Sequence, residues 1–184
     1  MTLPTLGSLR SLPALDHPEL LAPSVATALE GWAHAGELAV VEIDPAVADT
    51  AAMSEAYGLG MDTGANCVVV AGRRDGEERV AACLVRADTR ADVNGVVKRT
   101  LDVRKCSFLG MERAVEESGM EYGGITPVGL PEGWPILVDE AVAAQSWLVI
   151  GSGIRGSKIA IPGPDLAALP SATVLALAQQ NAAG

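Results

Sequence analysis

Two β-rich runs, "NCVVVAG" and "ERVAACLVRA", flank the polar "RRDGEE", and this pairing restricts the possible folds more than any other feature of the chain. Apolar runs rich in Val, broken by so short a polar segment, predict an antiparallel hairpin. The flanking sequence then decides what the hairpin joins. "ELAVVEID" predicts a short strand before it, and "PAVADTAAMSEAYGLG" a helix stopped by Gly58 and Gly60. After it, Asp92 caps a helix running to about Leu101, "KCSFL" is a brief strand, and "MERAVEESG" is a helix ended by Gly119. "PILVDEAV", "SWLVIGSG" and "KIAIPG" supply three further strands and "PDLAALP" a short helix. Strands paired partly as hairpins and partly across helices predict an α+β fold with a mixed, partly barrel-like sheet flanked by helices.

A chain of 184 residues, about half of them hydrophobic, is expected to form one domain with a sizeable core. Residues 1–36 read as an N-terminal leader and helix. The leader, "MTLPTLGSLRSLPALDH", has no sustained period and predicts irregular structure or a short helix. "PELLAPSVATALEGWAH" has helical spacing, with Pro23 set to kink or split it. Residues 37–175 read as the main domain and 176–184 as a frayed tail with little to bury. Three scattered cysteines support neither a disulfide framework nor a zinc ribbon, so they are expected to be reduced core residues. No apolar run reaches the length of a membrane span and no signal-like segment opens the chain, so a cytoplasmic protein is expected.

Charge and aromatic content narrow the function. A net charge of −10 excludes a broad basic face for long nucleic acid, and the 3% aromatic content shows no stacking platform for single strands. Contact with a short nucleic-acid end stays open. The local cluster Arg86, Arg90, Lys98, Arg99, Arg104 and Lys105 would serve it, or would be ordinary solvated surface.

His17 and His34 are the only histidines, there is no G-x-S-x-G elbow, and no His/Cys cluster has metal-ligand spacing, so neither a Ser-His-Asp triad nor a metal site is expected. "GSGIRGSK" (151–158) has glycines before Lys158 but lacks the Walker spacing and is followed by a strand. It reads as a hairpin turn or a ligand-facing turn. Asp139 and Glu140 could act as acid and base, or cap the next turn. In residues 123–135, four glycines and three prolines precede a buried strand. Glycine allows positive φ and close backbone approach while proline stiffens, so such a loop can present main-chain N–H and C=O groups in a fixed array.

"GGITPVGLPEGWPILVDEAV" together with "WLVIGSGIRGSKIAIPGPDLAAL" resembles the YbaK/prolyl-tRNA-synthetase-associated editing domain superfamily over roughly residues 37–175. The most specific motifs are G-x-x-x-P, Gly123 to Pro127, and Gly-Ser-Gly-x-Arg-Gly, Gly151 to Gly156. The resemblance implies a trans-editing deacylase that hydrolyses the ester of mischarged tRNA, without a cofactor. The tRNA acceptor end is the implied partner, and an aminoacyl-tRNA synthetase a second one. It also implies that Gly123, Gly124, Ile125, Thr126 and Pro127 face Gly151, Ser152, Gly153 and Arg155 across a pocket, with Asp139 as the family's acidic residue. Arg90 and Lys98 are the expected tRNA contacts. One departure stands out: the family opens the first hairpin strand with a catalytically important lysine, and here Asn66 holds that place. An amide donates hydrogen bonds but carries no charge. Either a modified deacylase or a non-catalytic module binding aminoacyl-adenosine, tRNA ends or a protein partner is implied.

Overall fold

The computed structural model describes residues 3–180. In chain order the elements are β1 (Ser11–Pro13), α1 (Pro23–Glu30), β2 (Ala39–Glu42), α2 (Thr50–Tyr57), β3 (Ala65–Arg74), β4 (Glu77–Arg86), β5 (Thr89–Ala91), α3 (Lys98–Thr100), β6 (Lys105–Phe108), α4 (Met111–Ser118), β7 (Ile136–Asp139), α5 (Glu140–Ala143), β8 (Leu148–Gly151), β9 (Ser157–Ile161), α6 (Gly163–Ala167), β10 (Ala172–Leu175) and β11 (Ala178–Gln180). The expected mixed α+β fold is what forms. Its strands make three sheets, ordered β1-β2-β9-β8, β10-β7-β4-β3-β6 and β11-β5, and these do not close into a barrel.

The hairpin sits at the centre of the five-stranded sheet. β3 and β4 pair antiparallel over ten residues each, from Ala65 opposite Arg86 to Arg74 opposite Glu77. Asp75 and Gly76, with φ of 53° and 90°, are the two left-handed residues that a tight two-residue turn needs. β7 joins β4 in parallel and β10 joins β7 in parallel, which makes the sheet mixed.

Alternation along β4 divides the core. Leu84 faces the main cluster with Val138, Ile150, Ile159, Val25 and Leu29, so that cluster lies between the two larger sheets and α1. Cys83 and Val85 face the opposite cluster, with Val70, Val97 and Leu177. A parallel bridge between Gly64 and Val149 ties the start of β3 to β8, bringing the two larger sheets together at one place.

Four expectations are corrected. The leader contributes a strand, β1, antiparallel to β2. The helix expected from residue 18 begins only at Pro23, because a residue without an N–H fits the first helical position, and Pro18–Leu20 is a separate 3-10 turn. The strand in "PILVDEAV" stops at Asp139, whose carboxylate accepts from Ala141 N at 3.0 Å and starts α5. The C-terminal segment is tied down through Gln180: Leu177 is fully buried and Ala178–Gln180 pair with Thr89–Ala91. Residues 181–184 of the expected frayed tail lie outside the described residues.

Candidate active site

A cleft of about 540 Å³ opens where the two larger sheets meet. Its walls come from the start of β3 (Ala65 to Val68), the end of β8 (Val149 to Gly151), Lys158 of β9, the first turn of α2 with Asp49 and Thr50, and the loop residues Tyr122, Gly123 and Ile125. Asp49 is the cap of α2, its carboxylate accepting from Ala51 N and Ala52 N. Thr50 Oγ1 donates to Asn66 Oδ1 at 2.8 Å, which orients the amide and leaves Nδ2 as the donor for a ligand.

The two glycine-rich segments meet backbone to backbone. Gly153 N donates to the Gly124 carbonyl at 2.7 Å, and Glu121 N to the Gly153 carbonyl at 2.8 Å. A Cβ on Gly151 would stand 2.3 Å from the Gly124 oxygen, and one on Gly124 would stand 2.7 Å from the Ile154 oxygen. These glycines therefore allow the loops to touch each other, and only Gly151 and Gly123 also reach the cleft.

Lys158 is the group that sequence reasoning did not place here. It is 6% exposed, and its Nζ donates to the Gly123 carbonyl at 3.0 Å. Burial, then the nearby Arg155 guanidinium, lowers its pKa to about 8, while Asp49 acts in the opposite sense. It is the one cation among the described residues lining the cleft. The usable sequence signal was position: it follows the glycine-rich turn by two residues, at the start of a strand buried throughout.

Asn66, Gly123, Ile125 and Gly151 of the expected site residues line the cleft; the others do not. Gly124 and Gly153 lie behind it, in the contact between the loops. Ser152 is buried, with its hydroxyl 2.7 Å from Ser157 Oγ and its carbonyl accepting from Ala22 N at 3.0 Å. Arg155 is a strut, donating to the carbonyls of Tyr122 and Pro45 at 3.0 Å each. Thr126 is fully buried, and Pro127 lines a different hollow with Trp32 and Trp134.

Asp139 is likewise absent from the lining. Besides capping α5, it accepts through Oδ2 from Leu177 N at 3.0 Å and Ala178 N at 2.8 Å, so its acidity is used to hold the C-terminal segment. Arg90 on β5 and Lys98 on α3 are absent from the cleft lining and flank the cluster that holds Cys83 and Val85. Cys67 packs against the main core cluster and also lines the cleft, and burial pushes its thiol well up, so it stays protonated.

The model of the aminoacyl-tRNA editing domain matches residues 44–169, a span that contains every wall of this cleft. The chain belongs to the aminoacyl-tRNA editing domain family. Among solved structures, the editing-domain chain resembles a candidate trans-editing enzyme for prolyl-tRNA synthetase, at 25% identity and a TM-score of 0.73, covering 86% of this chain and 96% of that one. A hypothetical protein shares the fold at 18% identity and a TM-score of 0.67, covering 76% and 90%. A scaffold protein used for computational epitope grafting shares it at 24% and 0.71, covering 86% and 99%. Comparison with curated proteins finds no match.

Proposed function

We propose that this editing domain is a free-standing deacylase that hydrolyses the ester joining a wrong amino acid to the terminal ribose of a tRNA. The observation that carries the reading is Lys158 Nζ, 3.0 Å from the Gly123 carbonyl inside the cleft. It supplies from β9 the positive charge that Asn66 cannot supply from β3. In the reaction, water adds to the ester carbonyl and the acyl–oxygen bond breaks. The ribose oxygen leaves with that electron pair and takes a proton, giving free amino acid and intact tRNA. The Lys158 ammonium faces the carbonyl oxygen as negative charge develops on it, with Asn66 Nδ2 as a second donor, in a site already arranged for that charge. Asp49, the one carboxylate among the described lining residues, receives the α-ammonium group of the amino acid.

Membership of the editing-domain family supports the tRNA ester as substrate. The likeness to a candidate trans-editing enzyme for prolyl-tRNA synthetase supports tRNA charged by that synthetase as the first substrate to assay, and with it a cytoplasmic place of action. The test is single-turnover deacylation over a panel of mischarged tRNAs, with Lys158→Met and Lys158→Arg beside the parent. The parent is expected to clear at least one substrate, Lys158→Met to be slower by roughly ten- to a hundredfold as for loss of one charged hydrogen bond, and Lys158→Arg to keep part of the rate. A parent that binds charged tRNA and turns over none of the panel would leave a binding module in place of an enzyme.

A further inference from the structure

The cleft continues outward onto an apolar shelf that a low aromatic content concealed. Phe108, the only phenylalanine of the chain, is 65% exposed, Tyr122 is 60% exposed and Met111 is 54% exposed. They border a hollow of about 190 Å³ that shares Val68, Tyr122 and Ile125 with the cleft. Such side chains are commonly buried, and here three of them surround one opening next to the reactive site.

We infer that this shelf stacks the unpaired nucleobase that precedes the terminal adenosine of the acceptor end, an inference that rests on the deacylase reading above. Two observations favour a base as the occupant. The first is continuity: a chain whose terminal ribose ester lies beside Lys158 leaves the cleft past Tyr122, the exposed one of the three residues common to both hollows. The second is charge. The molecule carries −10, and none of the described residues bordering the hollow is Lys or Arg, so contacts to phosphate contribute little at the shelf itself. Stacking on an aromatic face needs no counter-charge and accepts any base. Phe108 offers its ring from β6, the edge strand of the five-stranded sheet, and Met111 follows at the start of α4.

The probe is an acceptor-stem RNA hairpin carrying 2-aminopurine in place of the base before its 3′-terminal adenosine. Binding to the parent is expected to quench its emission. Phe108→Ala is expected to abolish the quench and raise KM for aminoacylated RNA about tenfold, within the range for loss of one stacked base. Phe108→Trp restores both. Hydrolysis of aminoacyl-adenosine, which has no preceding base, should be the same for parent and Phe108→Ala, since Phe108 lies outside the cleft lining. Equal quench and KM in parent and Phe108→Ala would overturn the shelf and leave the deacylase intact. A parent that hydrolyses neither substrate would overturn the deacylase, and the quench would still decide the shelf. Self-association of the parent that Phe108→Ala abolishes, with the quench unchanged, would assign the shelf to a second copy of the chain and overturn the inference.

Discussion

Glycine and lysine divide the work of this site in a way that only individual contacts disclose. Gly151 has no room for a methyl group: its Cβ would lie 2.3 Å from the Gly124 oxygen and 2.6 Å from the Ile125 oxygen, both main-chain atoms that cannot rotate away. Gly151→Ala should therefore force the two loops apart and destabilise the fold by about 1–3 kcal/mol, as overpacking does, read as a lowered urea midpoint. An unchanged midpoint would mean that the loops slide freely. The adjacent glycine positions Lys158. Gly123, with φ of 80°, turns its carbonyl toward Nζ and fixes the ammonium in the cleft. Asn66 is held by Thr50 and is left a neutral donor.

Elements carry these residues by joints that sequence patterns do not display. Asp139 is the clearest joint: one carboxylate starts α5 and holds Leu177 and Ala178, the entry to β11. Asp139→Ala should lower stability by roughly 2–4 kcal/mol, since a cap and two bonds to a charged acceptor are lost together, while kcat per folded molecule stays at the parent value. A fall in kcat with stability unchanged would return Asp139 to the chemistry. The hairpin, the Asp92 cap and the glycine stops at Gly58 and Gly119 were legible because each depends on neighbours along the chain. The late start of α1, the pairing of β1 and β11, and the removal of Ser152 and Arg155 from the cleft were not, because distant partners decide them. The leader is one such partner: Ser157 Oγ donates to the Leu20 carbonyl, and Ala22 N to the Ser152 carbonyl at 3.0 Å, so the segment before residue 37 braces the glycine-rich turn.

The whole molecule places Lys158 by sheet geometry more than by motif. The two larger sheets meet at Gly64 and Val149 beside the cleft, into which β9 delivers Lys158 where β3 presents the neutral Asn66. The net charge of −10 is compatible with the proposed contact to a tRNA end alone, and Phe108, Met111 and Tyr122 lie exposed beside the cleft. Among the described residues, no helix is long and apolar enough to cross a membrane. Burial next to Arg155 gives the central claim a direct signature, because Lys158 is an ammonium below a pKa of about 8 and a neutral amine above it. The deciding measurement is the pH dependence of single-turnover deacylation, corrected for spontaneous ester hydrolysis, in the parent and in Lys158→Met. The parent rate should be level below that pKa and fall as pH rises through about 8, with no such fall in Lys158→Met; a parent rate that rises through the same interval, or a profile shared by the two proteins, would contradict an ammonium at Lys158 as the source of catalysis.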